Sequence, residues 1–385
     1  MTYKNNKFTY NLKKLLIGPY YKHKYNYSFK KVDVPHSPII VVCGSATKDE
    51  AALVALSFSR PLSFAADASF LASEKENADL DLAYTKIPIY PASNNASACV
   101  QIIRRIKAGH SVCLFPEGRQ SGDGLTSEFS DSVARLVKRL GVTMVTYKID
   151  GAYMSAPAWA KYRRRGKTFG HTVCVYPAEN IRKMSTLSIY QAIKSDLDTD
   201  ATASECEYHT KFEGKRLAEG IENQLYACPC CKYLNTLTSS AGKIICKKCE
   251  KIGVIDTFGN ISEFGFSNVR DWSNWQKRMI ERLPYVSTEK EIAFDEDCTL
   301  VEISKDEICT VVPKSRLSVS NFAIRIGDME IMLDSIKRAE ITFEQNLAFS
   351  LARSCGKHYE IRKAGGYAAN MYLDILRRFR RTQND

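Results

Sequence analysis

The sequence predicts an α/β domain, then a small metal-binding ribbon, then a β-rich domain that ends in a helix. Three observations predict this order: apolar runs that stop at glycine or proline, two later C-x2-C pairs, and short alternating runs near the end. A chain of 385 residues suits two or three domains. We expect a basic arm, an α/β domain, a ribbon, a connecting helix and a β-rich domain, at residues 1–33, 34–215, 222–262, 263–285 and 286–385.

The most informative stretch of the α/β domain is an apolar run, Val112–Phe115, that stops at Pro116. The residues that follow are Glu117, Gly118 and Arg119. This pattern is typical of a central parallel strand that opens into a loop at its carboxyl end. Open α/β sheets bind ligands at that end, and a guanidinium there suits an anionic substrate. On pattern alone, a solvated Glu–Arg pair in an ordinary turn stays an alternative.

Residues 115–121, FPEGRQS, resemble the Phe-Pro-Glu-Gly-Thr-Arg-Ser block of glycerolipid acyltransferases, the family that includes 1-acylglycerol-3-phosphate acyltransferase. Segments 38–58, 87–109 and 145–167 resemble the family's catalytic loop, its second block and the strand that closes its substrate site. The chain resembles bacterial members that carry a cysteine-rich tail after the catalytic domain. The resemblance implies an acyltransferase-type αβ domain and acyl transfer from acyl-CoA or acyl-carrier protein to a lysophospholipid hydroxyl.

The catalytic signature of that family is a histidine, four residues and an aspartate. Asp49 matches the aspartate, whereas Gly44 stands where the histidine should be. In the family the histidine is the general base and the aspartate orients its ring. Glycine cannot accept a proton, so two hypotheses stay open. The chain is an acyltransferase that uses another base, or it is a catalytically inactive protein that binds lipid or a protein partner.

The substrate-binding residues that the resemblance implies also differ from the family pattern. Glu117, Gly118 and Arg119 match its substrate-binding block, but Arg119 stands one place early and Gln120 takes the usual arginine position. Ile89 stands where the second block carries an arginine. Both arginines hold the acceptor's phosphate in the family, so the resemblance implies a weaker grip here.

Four cysteines have the spacing of a structural metal site. Cys228, Cys231, Cys246 and Cys249 form two C-x2-C pairs that are separated by fourteen residues. Four thiolates on two tight knuckles give the closed tetrahedral shell of structural zinc, so we expect a zinc ribbon. Cys230 is an additional thiol on the first knuckle. A cluster of buried reduced cysteines is the alternative.

The segment from about residue 286 to 362 alternates polar and apolar residues in short runs, as β-strands do. After it, Tyr367, Met371, Ile375 and Phe379 recur every four residues. A helix with this stripe packs its apolar face on a sheet. The expected topology is similar to a pleckstrin-homology-like barrel, a module that binds phosphoinositides or proteins or serves as a scaffold.

The net charge of +12 is concentrated at the N-terminus, where residues 1–31 hold eight lysines, six tyrosines and no acidic residue. Lysine with aromatic residues favours the surface of an anionic bilayer, which is the expected partner. A solvated arm is the main alternative, and nucleic acid is a weaker one. The basic cluster at 161–167, KYRRRGK, is expected at a headgroup site.

The expected location is the cytoplasm, with the protein peripheral on the inner face of the cell membrane. No apolar run approaches the roughly 18 residues of a spanning helix, and no signal peptide is evident. Several of the thirteen cysteines lie in apolar strands or in the metal motif, which favours reduced cysteine in a reducing compartment.

Overall fold

Two units make up the chain in the computed structural model. The first comprises Met1–Tyr90, Asn95–Ala158 and Arg163–Glu213, and the second comprises Pro91–Asn94, Trp159–Tyr162 and Gly214–Asp385. The structure describes residues 3–32, 34, 37–44, 47, 49–68, 86–93, 95–203, 210–284, 289–303, 308–352 and 358–381.

The first unit is built on a seven-stranded sheet in the order β1-β7-β6-β2-β5-β3-β4. Its strands are β1 (Tyr27–Phe29), β2 (Ile39–Cys43), β3 (Leu62–Asp67), β4 (Lys86–Ile89), β5 (Ser111–Leu114), β6 (Thr143–Asp150) and β7 (Thr168–Tyr176). Strands β2 to β6 are parallel, whereas β7 is antiparallel to β6 and parallel to β1. The carboxyl ends of β2 to β6 therefore lie at the same edge as the amino ends of β1 and β7.

Helices cover both faces of this sheet, and all five residues of its central strand β2 are therefore buried. Ile40 and Val42 belong to one core with Ile102, Val137 and Ile193 of three helices. A second core joins residues of the first two helices to β1. The helices are α1 (Tyr3–Tyr25), α2 (Glu50–Ser57), α3 (Ala96–Lys107), α4 (Ser132–Leu140), α5 (Ala152–Ser155), α6 (Ala178–Lys183) and α7 (Thr186–Leu197).

The basic N-terminal segment forms α1, which is fastened to the end of α2. The buried Tyr10 hydroxyl donates to the carbonyl oxygens of Ala55 and Phe58, the latter at 3.0 Å. Lys14 Nζ donates to the same Phe58 oxygen at 2.7 Å. These bonds satisfy carbonyl groups that a helix end leaves without partners. Burial, with the charges of two neighbouring lysines, lowers the pKa of Lys14 to about 8.

A buried cluster of three hydroxyl groups joins β1, α2 and β6. The Tyr147 hydroxyl donates to Ser57 Oγ at 2.6 Å, and Tyr27 Oη lies 2.8 Å from that atom and 3.1 Å from Tyr147 Oη. Gly170 of β7 makes room for both rings. A Cβ at this glycine would lie 2.1 Å from Tyr27 Oη and 2.2 Å from Tyr147 Oη.

The second unit contains a small sheet followed by a larger antiparallel one. The small sheet, in the order β10-β9-β8, consists of β8 (Leu237–Ser240), β9 (Lys243–Cys246) and β10 (Ile252–Val254), after a 3₁₀ turn at Ile221–Asn223. Helix α8 (Val269–Glu281) follows. The larger sheet consists of β11 (Glu291–Ile303), β12 (Ile308–Ser320), β13 (Ala323–Ile326), β14 (Met329–Met332), β15 (Ile336–Ile341), β16 (Leu347–Leu351) and β17 (His358–Lys363).

The larger sheet runs in the order β14-β13-β12-β11-β17-β16-β15, with a 3₁₀ turn at Leu333–Ser335. Helix α9 (Ala369–Arg381) follows its last strand. Met371, Ile375 and Phe379 are buried on one side of α9 and belong to the same core as the strands. Tyr367, the first residue of the predicted stripe, precedes the helix and donates its hydroxyl to the Ile361 oxygen at 2.9 Å.

We predict that Gly170→Ala destabilises the first unit by about 2–4 kcal/mol. The added methyl group must displace two buried tyrosine hydroxyls, so overpacking and broken hydrogen bonds both contribute. Thermal or urea unfolding measures the loss. Gly44→Ala is the matched control, since a Cβ there meets its nearest atom at an ordinary 3.6 Å. Equal stability of the two variants would contradict the prediction.

Candidate functional site

The loops after β2 and β5 meet at the carboxyl edge of the first sheet because these two strands are parallel neighbours, with Val42 opposite Leu114. Gly44 follows β2 directly, and Glu117 lies three residues after β5. A Cβ placed on Gly44 would lie 3.6 Å from Glu117 Oε1. The two motifs that the sequence singles out therefore face each other, with the Glu117 carboxylate beside Gly44, where the resemblance predicts a histidine.

The Glu117 and Arg119 side chains are both held by Ser127. Its backbone N–H donates to Glu117 Oε2 at 2.6 Å, and Arg119 Nε donates to its Oγ at 3.1 Å. Gly118 has a φ of +65°, which favours glycine and lets the chain reverse between the two side chains. Gln120 is buried, and its amide nitrogen has no hydrogen-bond partner among the described residues.

Asp49 is held by side chains from the end of α1. Lys24 Nζ lies 2.5 Å from Asp49 Oδ2, and the Tyr25 hydroxyl donates to that same oxygen at 2.5 Å. Tyr25 Oη also lies 3.0 Å from Thr47 Oγ1. Burial, followed by the Asp49 charge, raises the pKa of Tyr25 far above its usual value, so the phenol stays a neutral donor. The carboxylate that would orient a histidine thus has other partners.

Sequence reasoning singled out Asp49 but missed Lys24, Tyr25 and Thr47. The first two lie in the basic and aromatic segment that was interpreted as a surface for an anionic partner. The signal in the sequence was the alternation of lysine and tyrosine residues, but the sequence does not show which residues of α1 lie against the loop after β2. Thr47 lies in segment 38–58, which resembles the family's catalytic loop, but only the folded structure shows that it is buried.

Other candidate bases and nucleophiles do not complete the site. Cys43 is fully buried, and burial, followed by the charge of Glu50, raises the pKa of its thiol well above the usual value. A protonated buried thiol is a poor nucleophile. His110 immediately precedes β5, at the opposite edge from Glu117. His171 lies within β7, 3.0 Å from an Asp150 oxygen. Ser45, His36 and His209 lie outside the described residues.

The four predicted metal ligands come together in the second unit. The sulfur atoms of Cys228, Cys231, Cys246 and Cys249 all lie within 4.8 Å of one another. The Cys228–Cys249 and Cys231–Cys246 pairs are each 3.7 Å apart. Zinc–sulfur bonds of about 2.3 Å give a tetrahedron with edges of ~3.8 Å, so the donor set fits such an ion. Cys230 is exposed and lies outside the cluster.

The first metal knuckle is bonded to the core of the β-rich part of the same unit. Trp272 of α8 donates to the Ala227 oxygen at 2.8 Å, and Gln276 accepts from the Tyr226 N–H at 3.0 Å. The Tyr226 hydroxyl donates to Asp374 of α9 at 2.8 Å. Tyr226 and Ala227 belong to the core that contains the β-rich strands. The residue after Ala227 is Cys228, so a ligand and this core are adjacent in the chain.

The outward face of α1 is apolar and flanked by lysines. Leu12, Leu15, Leu16 and Tyr20 are exposed by 48, 73, 70 and 57 %. Their spacing places them on one side of the helix, away from the buried Tyr10, Tyr21 and Tyr25. Among the helices of the described residues, none combines the length and apolar character needed to cross a membrane.

The chain matches no protein-family model, and a comparison with curated proteins gives no match. One similar solved structure is the 1-acyl-sn-glycerophosphate acyltransferase of Thermotoga maritima, with a TM-score of 0.42 and 15% identity over 55% of this chain and 81% of that chain. Another is the N-terminal PH domain of Vps36, with a TM-score of 0.22 and 13% identity over 26% of this chain and 87% of that chain. These distant similarities establish neither a family nor an activity.

We predict that the purified protein holds about one metal ion and that Cys228→Ser removes it. The loss should lower the unfolding midpoint of the second unit by about 10 °C, because the knuckle is bonded to the core of the β-rich strands. Metal analysis and thermal unfolding measure both effects. Cys230→Ser is the control and should change neither. A metal-free wild type, or a Cys228→Ser protein that unfolds at the wild-type temperature, would contradict this role.

Proposed function

We propose that the first unit is an acyltransferase-type domain that has lost its general base and binds lipid without transferring an acyl group. The observation that carries the proposal is Gly44 at the end of β2, beside Glu117, with Asp49 held by Lys24 and Tyr25. The motif resemblance in the sequence supports the domain type. The altered site supports the absence of turnover.

The chemistry of acyl transfer explains why the missing base matters. The acceptor hydroxyl oxygen bonds to the thioester carbonyl carbon, the carbon–sulfur bond breaks, and the thiol leaves. The hydroxyl proton must pass to a base as the new bond forms. Glycine supplies no such group. Asp49 already accepts from two donors, Lys24 and Tyr25, through the same oxygen.

One observation favours an active enzyme as the second candidate function. Glu117 Oε1 points toward Gly44, so this carboxylate is a possible substitute base for transfer from acyl-CoA or acyl-carrier protein to a lysophospholipid. Its other oxygen accepts from the Ser127 N–H. An ordinary carboxylate is a weak base near neutral pH. We therefore favour the inactive, lipid-binding form.

The outward face of α1 supports docking on an anionic membrane surface. Three exposed leucines and Tyr20 provide an apolar strip, and lysines on the same helix attract acidic headgroups. The protein would then be peripheral on the inner face of the cell membrane. The buried side of α1 belongs to the core of the first unit, so membrane contact would not require the helix to detach.

For the second unit we propose a structural zinc ion at the four cysteines. All four positions of a tetrahedral ion are filled by protein sulfur, which leaves none for water or substrate. Its role would be to brace the ribbon and, through Tyr226 and Ala227, the β-rich part of the unit. Such a unit provides a rigid surface for a partner protein or a lipid headgroup.

We predict no acyl transfer by the wild-type protein above the uncatalysed rate, with acyl-CoA and a lysophosphatidic acid as substrates. Loss of a general base removes a factor of about 10²–10⁴. The double variant Gly44→His, Tyr25→Phe should recover measurable transfer, because the imidazole fills the base position and Asp49 loses one of its two donors and can accept from the imidazole. Gly44→Ala is the control for the substitution itself. Robust wild-type turnover that Glu117→Gln abolishes would instead establish the second candidate.

We predict that Leu15→Glu weakens binding to anionic vesicles by at least tenfold, since an apolar side chain is replaced by a carboxylate at the bilayer surface. Leu187→Glu is the matched control because Leu187 is an exposed leucine elsewhere in the first unit, at 63 %. Sedimentation of the full chain with phosphatidylserine vesicles measures both. Removal of α1 is unsuitable as a test, since α1 contributes Tyr10, Tyr21 and Tyr25 to the core. Equal effects of the two substitutions would exclude α1 as the docking surface.

A further inference from the structure

Three cations lie on one face of the extended segment that leads into β7. Arg163, Arg165 and Lys167 are exposed, and the residues that alternate with them are buried. Side chains two residues apart in an extended chain point the same way, so the three form a row about 13 Å long. We call Arg163, Arg165 and Lys167 the cationic row.

The buried residues that alternate with the cationic row determine which way its side chains face. Gly166 lies so close to Phe212 that a Cβ would come within 2.1 Å of its ring. Arg165 and Glu213 exchange both backbone hydrogen bonds, at 2.7 and 2.9 Å. The backbone of the segment is therefore bonded and packed on its inner side, and the three cationic side chains remain on the outer side.

The first member of the row contacts the candidate site. The Arg163 guanidinium carbon lies 5.0 Å from the Tyr25 ring centroid, and Lys24 Nζ lies 5.6 Å from the same centroid. The Tyr25 hydroxyl donates to Asp49, which is the carboxylate that pairs with Lys24. Two cations and one carboxylate thus surround one tyrosine, and the excess charge is positive.

Within the part of the chain that the structure describes, no ion pair or side-chain hydrogen bond involves Arg163, Arg165 or Lys167. This contrasts with the second unit, where Arg316 and Arg325 each contact two glutamates. Guanidinium groups without a protein acceptor keep their donors for an external anion, and phosphate suits their geometry.

The position of α1 favours a bilayer as the source of that phosphate. Helix α1 ends at Lys24 and Tyr25, beside Arg163, and it presents Leu16 about 13 Å earlier along its axis. The exposed leucines and the cationic row therefore both adjoin α1, with Pro19 between Leu16 and Tyr25. An apolar strip flanked by the lysines of α1 suits a lipid surface, whereas nucleic acid would use stacking rings and cations without leucines.

We propose that the cationic row is a binding site for the phosphate headgroups of anionic lipids in a bilayer. The inference rests on the proposed lipid-binding function. It assigns the binding of the anion to residues outside the segment 115–121, which resembles a substrate-binding block. Arg163 is the inner end of the site, where its guanidinium is fixed against Tyr25. Arg165 and Lys167 extend the site along the protein surface.

Vesicle sedimentation of the full chain tests the site with the triple variant Arg163→Ala, Arg165→Ala, Lys167→Ala. The matched control, Arg104→Ala, Lys107→Ala, Lys183→Ala, removes the same charge from exposed positions of α3 and α6. At about 0.1 M salt, each cation at the bilayer contributes a factor of about five. The row variant should bind phosphatidylserine vesicles on the order of 100-fold more weakly, and the control less than about threefold. Circular dichroism and thermal unfolding verify that both variants are folded.

Three results would overturn the proposal: wild-type affinity of the row variant, an equal loss in the control, or release of the wild type from vesicles by millimolar inorganic phosphate at constant ionic strength. The last result would identify free phosphate as the ligand. Oligonucleotide binding that depends on the row while vesicle binding does not would identify nucleic acid. Failure of Leu15→Glu to reduce binding, with an intact effect of the row, would refute α1 docking alone. Acyl transfer measured on the row variant reports separately on the absence of turnover.

Discussion

The parallel pairing of β2 with β5 is the constraint on which the first unit depends. Both strands are buried along their whole length, so their register is fixed by packing from both sides of the sheet. Because parallel strands end at the same edge, this register alone brings the loop with Gly44 against the loop with Glu117. Reversal of β7 then places the segment before it, with Arg163, at that edge as well. One pairing therefore assembles residues that are distant in the chain.

How much of this arrangement could be predicted depends on whether the relevant signal is local. The run Val112–Phe115 predicts a strand and a loop because burial and turn chemistry are written into adjacent residues, and the four cysteines are specified by spacing alone. Tyr25 and Asp49 meet only because α1 packs beside α2, and no local pattern fixes that packing. The basic composition of the first residues indicated a surface for anions but could not distinguish the exposed leucines from the buried tyrosines of one helix.

In the second unit a cluster of four cysteines and a hydrophobic core support the same short segment. Cys228 is a ligand candidate, and the two residues before it are core residues with hydrogen bonds to α8 and α9. A ribbon of three short strands buries little surface, so the proposed metal ion would stabilise its fold. The hydrogen bonds from Tyr226 to α8 and α9 would extend this stabilisation to the core of the larger sheet. The ribbon is thus a brace within one unit, which explains how its polar knuckle comes to be joined to an apolar core.

The partners of Asp49 show how the site differs physically from a proton-transfer device. A histidine beside this carboxylate would exchange a proton near neutral pH, since its usual pKa is about 6.5. Tyr25 occupies the carboxylate instead, and burial together with the Asp49 charge keeps its phenol protonated throughout the physiological range. Lys24 adds a second partner at the same oxygen. These contacts fasten the end of α1 to the loop after β2. With Arg163 against the same ring, the arrangement at this edge of the sheet supports the proposed binding of an anion rather than activation of a hydroxyl group.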